Sequence, residues 1–215
     1  GEAATIVGGG GADAITGSSA GDDTFQFASA ADLAAAATII GGNGTDIVEL
    51  TTADTGIVDS NFTKVATIET VKLKGISTAT LGDKADTAAT GTLTVSTGDD
   101  ATSITAADGK NFKIDAALLA NDNNLTLADS AESNFVVTGL KGNLVTDGLS
   151  GTLTVTTVDN TGTDDDITID AAVKATTVIL AAGAASDTVT ITAGDLANDV
   201  ALTINDPSAA AAAAG

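Results

Sequence analysis

Short runs in which Thr alternates with Val, Ile or Leu recur every 10 to 14 residues along most of this chain, and they constrain its fold more than any other feature. Thr92-Leu93-Thr94-Val95, Ile167-Thr168-Ile169, Val189-Thr190-Ile191 and Leu202-Thr203-Ile204 are examples, separated by Asp, Asn and Gly. Alternation with period two marks strands with one buried face, and the spacing leaves room only for tight turns between them. The chain is therefore expected to be all-β, either an elongated β-solenoid or a stacked β-sandwich. A helix is expected only at about Ser29 to Ala37, where Ala-rich sequence with Asp32 and Leu33 breaks the pattern.

Internal repetition supports stacking. Ile114 to Asp129 aligns with Ile191 to Asp206 at nine of sixteen identical positions, and Gly91 to Thr97 matches Gly151 to Thr157. The first pair is offset by 77 residues and the second by 60, so about 17 extra residues are expected around Asp159 to Asp170. The organisation read from this is a Gly/Asp-rich β segment over 1–90, two diverged copies of a β-rich unit over 91–206, and an Ala-rich linker or tail over 207–215. Stacked units of this kind need neighbours to bury their faces.

Charge narrows the function classes. There are 29 acidic residues against 8 basic ones, a net charge of -21, and 25 of the acids are Asp. Nucleic acid and anionic bilayers are repelled by such a surface, so neither nucleic-acid binding nor membrane insertion is expected. Asp belongs in turns and in hard-cation sites. Mean hydropathy is nevertheless +0.28, which is too aliphatic for a disordered acidic tail. Gly1 opens the chain without the basic and apolar stretches of a secretory signal, so a processed form, a fragment, or export by a signal elsewhere is expected.

Catalysis is not expected. The sequence has no His or Cys to act as general base or activated nucleophile, and no nitrogen or sulfur ligand for zinc. Paired Asp could in principle serve glycoside hydrolysis, yet there is no Trp or Tyr to form a sugar platform. The Gly8 to Gly11 run lacks the Lys and Ser/Thr of a phosphate-binding loop.

Gly8-Gly9-Gly10-Gly11-Ala12-Asp13-Ala14-Ile15 fits the nonapeptide G-G-x-G-x-D-x-U, and Gly41-Gly42-Asn43-Gly44-Thr45-Asp46-Ile47-Val48 fits it again. Between them, Gly21-Asp22-Asp23-Thr24-Phe25 keeps the second half of the pattern. Glycines allow positive φ and expose carbonyl oxygens, and the Asp carboxylate can join those carbonyls around a hard cation between successive turns. The apolar residue two places after the Asp is expected to point inside.

These residues resemble the calcium-binding repeats of the repeats-in-toxin proteins. The opening to about residue 75, with Val65 to Gly75, is similar in style to bacterial S-layer proteins and large secreted adhesins. The resemblance implies calcium as the bound ion, with Gly8, Gly10, Asp13, Asp23, Gly41, Asn43 and Asp46 at ligand positions, carbonyls serving at the Gly and Asn sites. It implies an extracellular, cell-surface location and a structural role with self-association into a lattice or filament, a cell-surface polysaccharide being a further expected partner. Gly98-Asp99-Asp100, Asn121-Asp122-Asn123 and Asp164-Asp165-Asp166 are secondary acidic clusters that read as solvated loops or further cation sites. The alternative is a calcium-dependent adhesin, or an ice- or ligand-binding module, in which Thr-x-Thr runs line one flat outward face.

Overall fold

A computed structural model describes residues 1–52, 56–158, 165–169, 173–180, 189–193, 196 and 200–205, without the side chains of Asp165 and Val189. The chain winds into a parallel β-solenoid of about eight turns. The first coils run β1 (Thr5–Val7), β2 (Ala14–Thr16), β3 (Thr24–Phe27), helix α1 (Ala30–Ala35) and β4 (Thr38–Ile40). Next come β5 (Ile47–Leu50), β6 (Ile57–Val58), a 3-10 turn (Asp59–Phe62), β7 (Val65–Ala66), β8 (Ile68–Leu73), β9 (Thr78–Leu81) and helix α2 (Asp83–Ala88). From there each coil is a strand pair: β10 (Ala89–Thr97) with β11 (Thr102–Ala106), β12 (Phe112–Asp115) with β13 (Asn124–Asp129), and β14 (Phe135–Leu140) with β15 (Asn143–Thr146). The last are β16 (Thr152–Thr157) with β17 (Asp165–Thr168), β18 (Ala175–Ile179) with β19 (Val189–Thr192), and β20 (Ala201–Asn205).

The strands form three parallel sheets. Ten make one broad sheet in the order β1-β3-β5-β8-β10-β12-β14-β16-β18-β20, seven make the opposite wall from β6 to β19, and β2, β4 and β7 close the first coils. Stacking in register puts like side chains over one another. On the inner face of the broad sheet a single column runs Ile6, Phe25, Val48, Val71, Val95, Ile114, Val137, Val155, Val178 and Ile204. From Phe25 to Val178 every member is fully buried. The seven-stranded wall answers it with Leu125, Leu144 and Ile167, also buried. All five Phe lie in this core, and the Phe112 and Phe135 rings lie 6.5 Å apart with their planes tilted by 38°.

The expected helix is present as α1, whose first turn is capped by the Ser29 hydroxyl. The expectation of one helix was wrong, for α2 is a second. Its N-cap is Gly82, which has no side chain to give, and the cap comes from the preceding coil: Asp59 Oδ1 accepts the N–H groups of Gly82, Lys84 and Ala85 at 2.8, 3.0 and 2.9 Å. A capping residue about 25 positions upstream leaves no local signature.

The repeats noticed in the sequence occupy different places. Gly91 to Thr97 and Thr152 to Thr157 are strands of the same broad sheet, whereas Ile114 lies in that sheet and Ile191 in the opposite wall. The likeness of Ile114–Asp129 to Ile191–Asp206 therefore relates half-coils on opposite walls. The expected insertion around Asp159 to Asp170 falls largely outside the described residues, as do Asp164 and the tail over 207–215. Among the described residues no helix is long and apolar enough to cross a membrane.

Candidate functional site

Where β3, β5 and β8 begin, the turns that feed them stack, and three acidic residues spaced 23 apart line up: Asp23, Asp46 and Glu69. An N–H just ahead of a strand has no ladder partner and must find another acceptor. Each carboxylate supplies one to the coil before it. Asp23 Oδ1 accepts from Ala4 N–H at 2.8 Å, Asp46 Oδ1 from Asp23 N–H at 2.8 Å, and Glu69 Oε2 from Asp46 N–H at 2.6 Å. Backbone bonds run the other way, from Ile47 N–H to the Asp23 carbonyl and from Thr70 N–H to the Asp46 carbonyl. The two sets tie successive coils in both directions.

Asp23 and Asp46 are both wholly buried, yet their environments differ. The second oxygen of Asp23 accepts the Ser18 N–H, and that bond, opposed by burial and helped by Ala4, holds its carboxyl below the ordinary aspartate value. One coil later the corresponding donor, Gly42 N–H, is taken by Thr67 Oγ1 at 2.9 Å. Asp46 Oδ2 is left buried with no hydrogen-bond partner. Burial pushes Asp46 above the ordinary value, the Asp23 N–H opposes this, and the charges of Glu69, Asp23 and Asp22 add to it.

The glycines of the motif have a packing reason. A Cβ on Gly41 would overlap the Thr67 carbonyl oxygen and stand 2.5 Å from Asp46 Oδ2. A Cβ on Gly17 would meet the Gly41 carbonyl and Asp23 Oδ2 in the same way. Close coil-to-coil approach thus demands Gly at both.

The seven expected ligand residues fall into two groups. Asp23, Gly41, Asn43 and Asp46 share the corner just described, with Asn43 Nδ2 donating to the Ser19 carbonyl at 2.8 Å. Gly8, Gly10 and Asp13 lie in the turn between β1 and β2, packed toward α1: Gly8 abuts the Phe27 ring, Gly10 faces Asp32, and the Asp13 carbonyl accepts from Ala37 and Thr38. Two turns of the motif that are neighbours in sequence style are thus not neighbours in the stack. Among the described residues no group of three or more carboxylates converges so as to hold a metal ion. The expected inward residues behave as read: Phe25 and Val48 are fully buried and Ile15 half-buried.

Glu69 and Asp59 were not singled out from the sequence. The 23-residue spacing of Asp23, Asp46 and Glu69 was the available signal. The secondary clusters stack through amides: Asn123 Nδ2 donates to the Asp99 carbonyl at 2.6 Å, Asn143 Nδ2 to Asn124 Oδ1 at 3.2 Å, and Asn143 Oδ1 accepts the Asp166 N–H at 3.0 Å.

The outward face of the broad sheet is rich in hydroxyls. One column reads Thr5, Thr24, Ile47, Thr70, Thr94, Lys113, Val136, Thr154, Thr177, Thr203. Beside it, a groove of about 330 Å³ is lined by Glu49, Lys72, Lys74, Gly98, Asp99 and Leu118. Compared with protein-family models, curated proteins and solved structures, the chain matches none.

Proposed function

We propose that this chain is a non-catalytic structural segment of a bacterial surface layer or matrix filament outside the cell, a self-associating rod stabilised by calcium. The observation that carries the reading is the unbroken inward column through all ten strands of the broad sheet. At about 4.8 Å per strand it makes a body about 43 Å long, rigid because each strand of the broad sheet pairs in parallel with the next. Such an object transmits position and load. With 29 acids and 8 bases, nucleic acid and anionic membranes are poor partners, and a cell-surface polysaccharide is a better one.

Calcium enters through the acid corner. The donors there are all oxygen, the class a hard cation takes, and Asp46 Oδ2 is a buried acceptor with nothing to accept. Asp46 would hold the ion, with backbone oxygens of the stacked turns around Gly41 and Asn43 and the neighbouring Asp23 completing the shell. The ion would supply charge neutralisation and a tie between coils. Gly8, Gly10 and Asp13 would need a separate ion at their own corner.

A second reading, a ligand-binding or ice-binding display module, is favoured by the seven Thr in one outward column. Calcium titration followed by circular dichroism and light scattering together separates the two. A rise in thermal stability and particle size with calcium, absent in Asp46→Asn, supports the structural reading. A chain that stays monomeric with millimolar calcium but slows ice recrystallisation, and loses that effect in Thr154→Leu/Thr177→Leu, supports the display module.

A further inference from the structure

A chain with net charge -21 should repel its copies, so the place where they meet must be one where the acids are absent. Along the sequence, residues 1–63 hold nine acids and no Lys, residues 142–215 hold ten acids and one Lys, and residues 64–141 hold ten acids and seven Lys. The middle of the rod is therefore the least repulsive part. Among the described residues the whole outer face of the broad sheet has only four charged side chains at its outward strand positions, and they cancel: Glu49, from the coil before this middle part, and Asp115 against Lys72 and Lys113. Other acids lie off this face, Asp83 and Asp86 in α2, Asp129 in the opposite wall, and Asp23 and Asp46 in turns.

The order of these charges is self-complementary. Lys72, Ser96 and Asp115 follow one another in a single column across β8, β10 and β12, with Ser96 buried between the two charged residues and its hydroxyl donating to Asp115 Oδ2 at 3.4 Å. The backbones of Lys72 and Asp115 are two strand spacings apart, about 10 Å, and the two side chains form no ion pair within the chain. Among the described residues the ion pairs involve Lys110 and Lys174, and neither Lys72 nor Lys113 takes part in one. We propose that this face pairs with the same face of a second copy about a two-fold axis lying along β10, which sets Lys72 opposite Asp115 of the second copy, twice. The inference rests on the self-associating structural reading above and names its contact surface.

The same operation sets β12 over β8 of the second copy. Leu118, which follows β12 and is 61% exposed, then stands over the groove beside Lys72 and Lys74 of the other chain. Leu118 also lines this groove in its own chain, so the contact brings the two copies' grooves and exposed leucines together. Overlap of nine strands by about four residues gives a patch of about 40 by 13 Å, or about 1,000 Å² in total. That is the lower bound for a specific interface, so the pair should be weak and reversible, as a lattice contact requires.

Sedimentation equilibrium in about 0.15 M salt tests this, with Lys72→Glu, Asp115→Lys and the double variant compared. Each single reversal should weaken association roughly tenfold or more, since two attractions become two repulsions, and the double variant should recover it. Because the chain has no Cys, Thr94→Cys provides a single thiol on the axis. A short bismaleimide should join two copies of it without any change of charge, which decides the matter even if a reversal variant folds poorly. Association by wild type with no recovery in the double variant, or with no joining at residue 94, overturns the face and leaves the structural reading standing. A wild-type chain that stays monomeric at millimolar concentration overturns both.

Discussion

Replacing Asp46 by Asn asks whether the buried carboxylate at the acid corner is there for a proton, for a cation or for its hydrogen bond alone. In Asp46→Asn the retained carbonyl still accepts the Asp23 N–H, now made at 2.8 Å. The amide group stands where Oδ2 has no partner and where Thr67 offers a carbonyl against Gly41. An unsatisfied buried polar atom costs about 1–3 kcal/mol. At pH 7 in chelator the variant should therefore be more stable than wild type by about 1–2 kcal/mol in urea unfolding. Asp46 is held above the ordinary aspartate value by burial first, then by Glu69, Asp23 and Asp22. The folded state thus binds that proton more readily than the unfolded one. Stability from this group is fully present below the ordinary value and is lost as pH rises through the raised one. The variant should not show this loss. Asp23 has the opposite sign, contributing above the ordinary value and losing its contribution as pH falls through its lowered one. Calcium should reverse the comparison: at ten- to hundredfold excess over its dissociation constant it adds about 1.4–2.7 kcal/mol to wild type only. If the variant in chelator is instead less stable by more than about 1 kcal/mol, or its pH slope equals that of wild type, the orphan-oxygen argument is refuted.

Two further outcomes follow from the coil contacts. Gly41→Ala forces a Cβ onto the Thr67 carbonyl and Asp46 Oδ2, parting coils joined by Gly41 N–H to Ala66 and Gly42 N–H to Thr67, and should cost about 3–4 kcal/mol in chemical denaturation. Asp59→Ala removes the acceptor for three N–H groups of α2 and should cost about 2 kcal/mol, with faster amide exchange over Asp83–Ala88; unchanged exchange there would sink the capping assignment.

Strand chemistry was legible residue by residue. The alternation at Thr92 to Val95 and at Leu202 to Ile204 placed β10 and β20, because a period of two is set by the backbone of each strand alone. Ser29 announced α1 by the same kind of local rule, whereas α2 did not announce itself because its cap is Asp59. The Gly/Asp turns were also legible as turns. Which of them meet was not.

The sequence by itself determined that this chain is all-β and that its Gly/Asp motifs form turns, since these depend on composition and short-range pattern. Only the tertiary structure decided that Asp23, Asp46 and Glu69 form one column while Asp13 lies apart from it in the turn between β1 and β2, and that one Asp46 oxygen is left without a donor. The reason is the coil itself. Its length varies from turn to turn, so contact between residues about 23 apart is fixed by how each coil closes, a sum over every turn and insertion in it, and no single motif contains that sum.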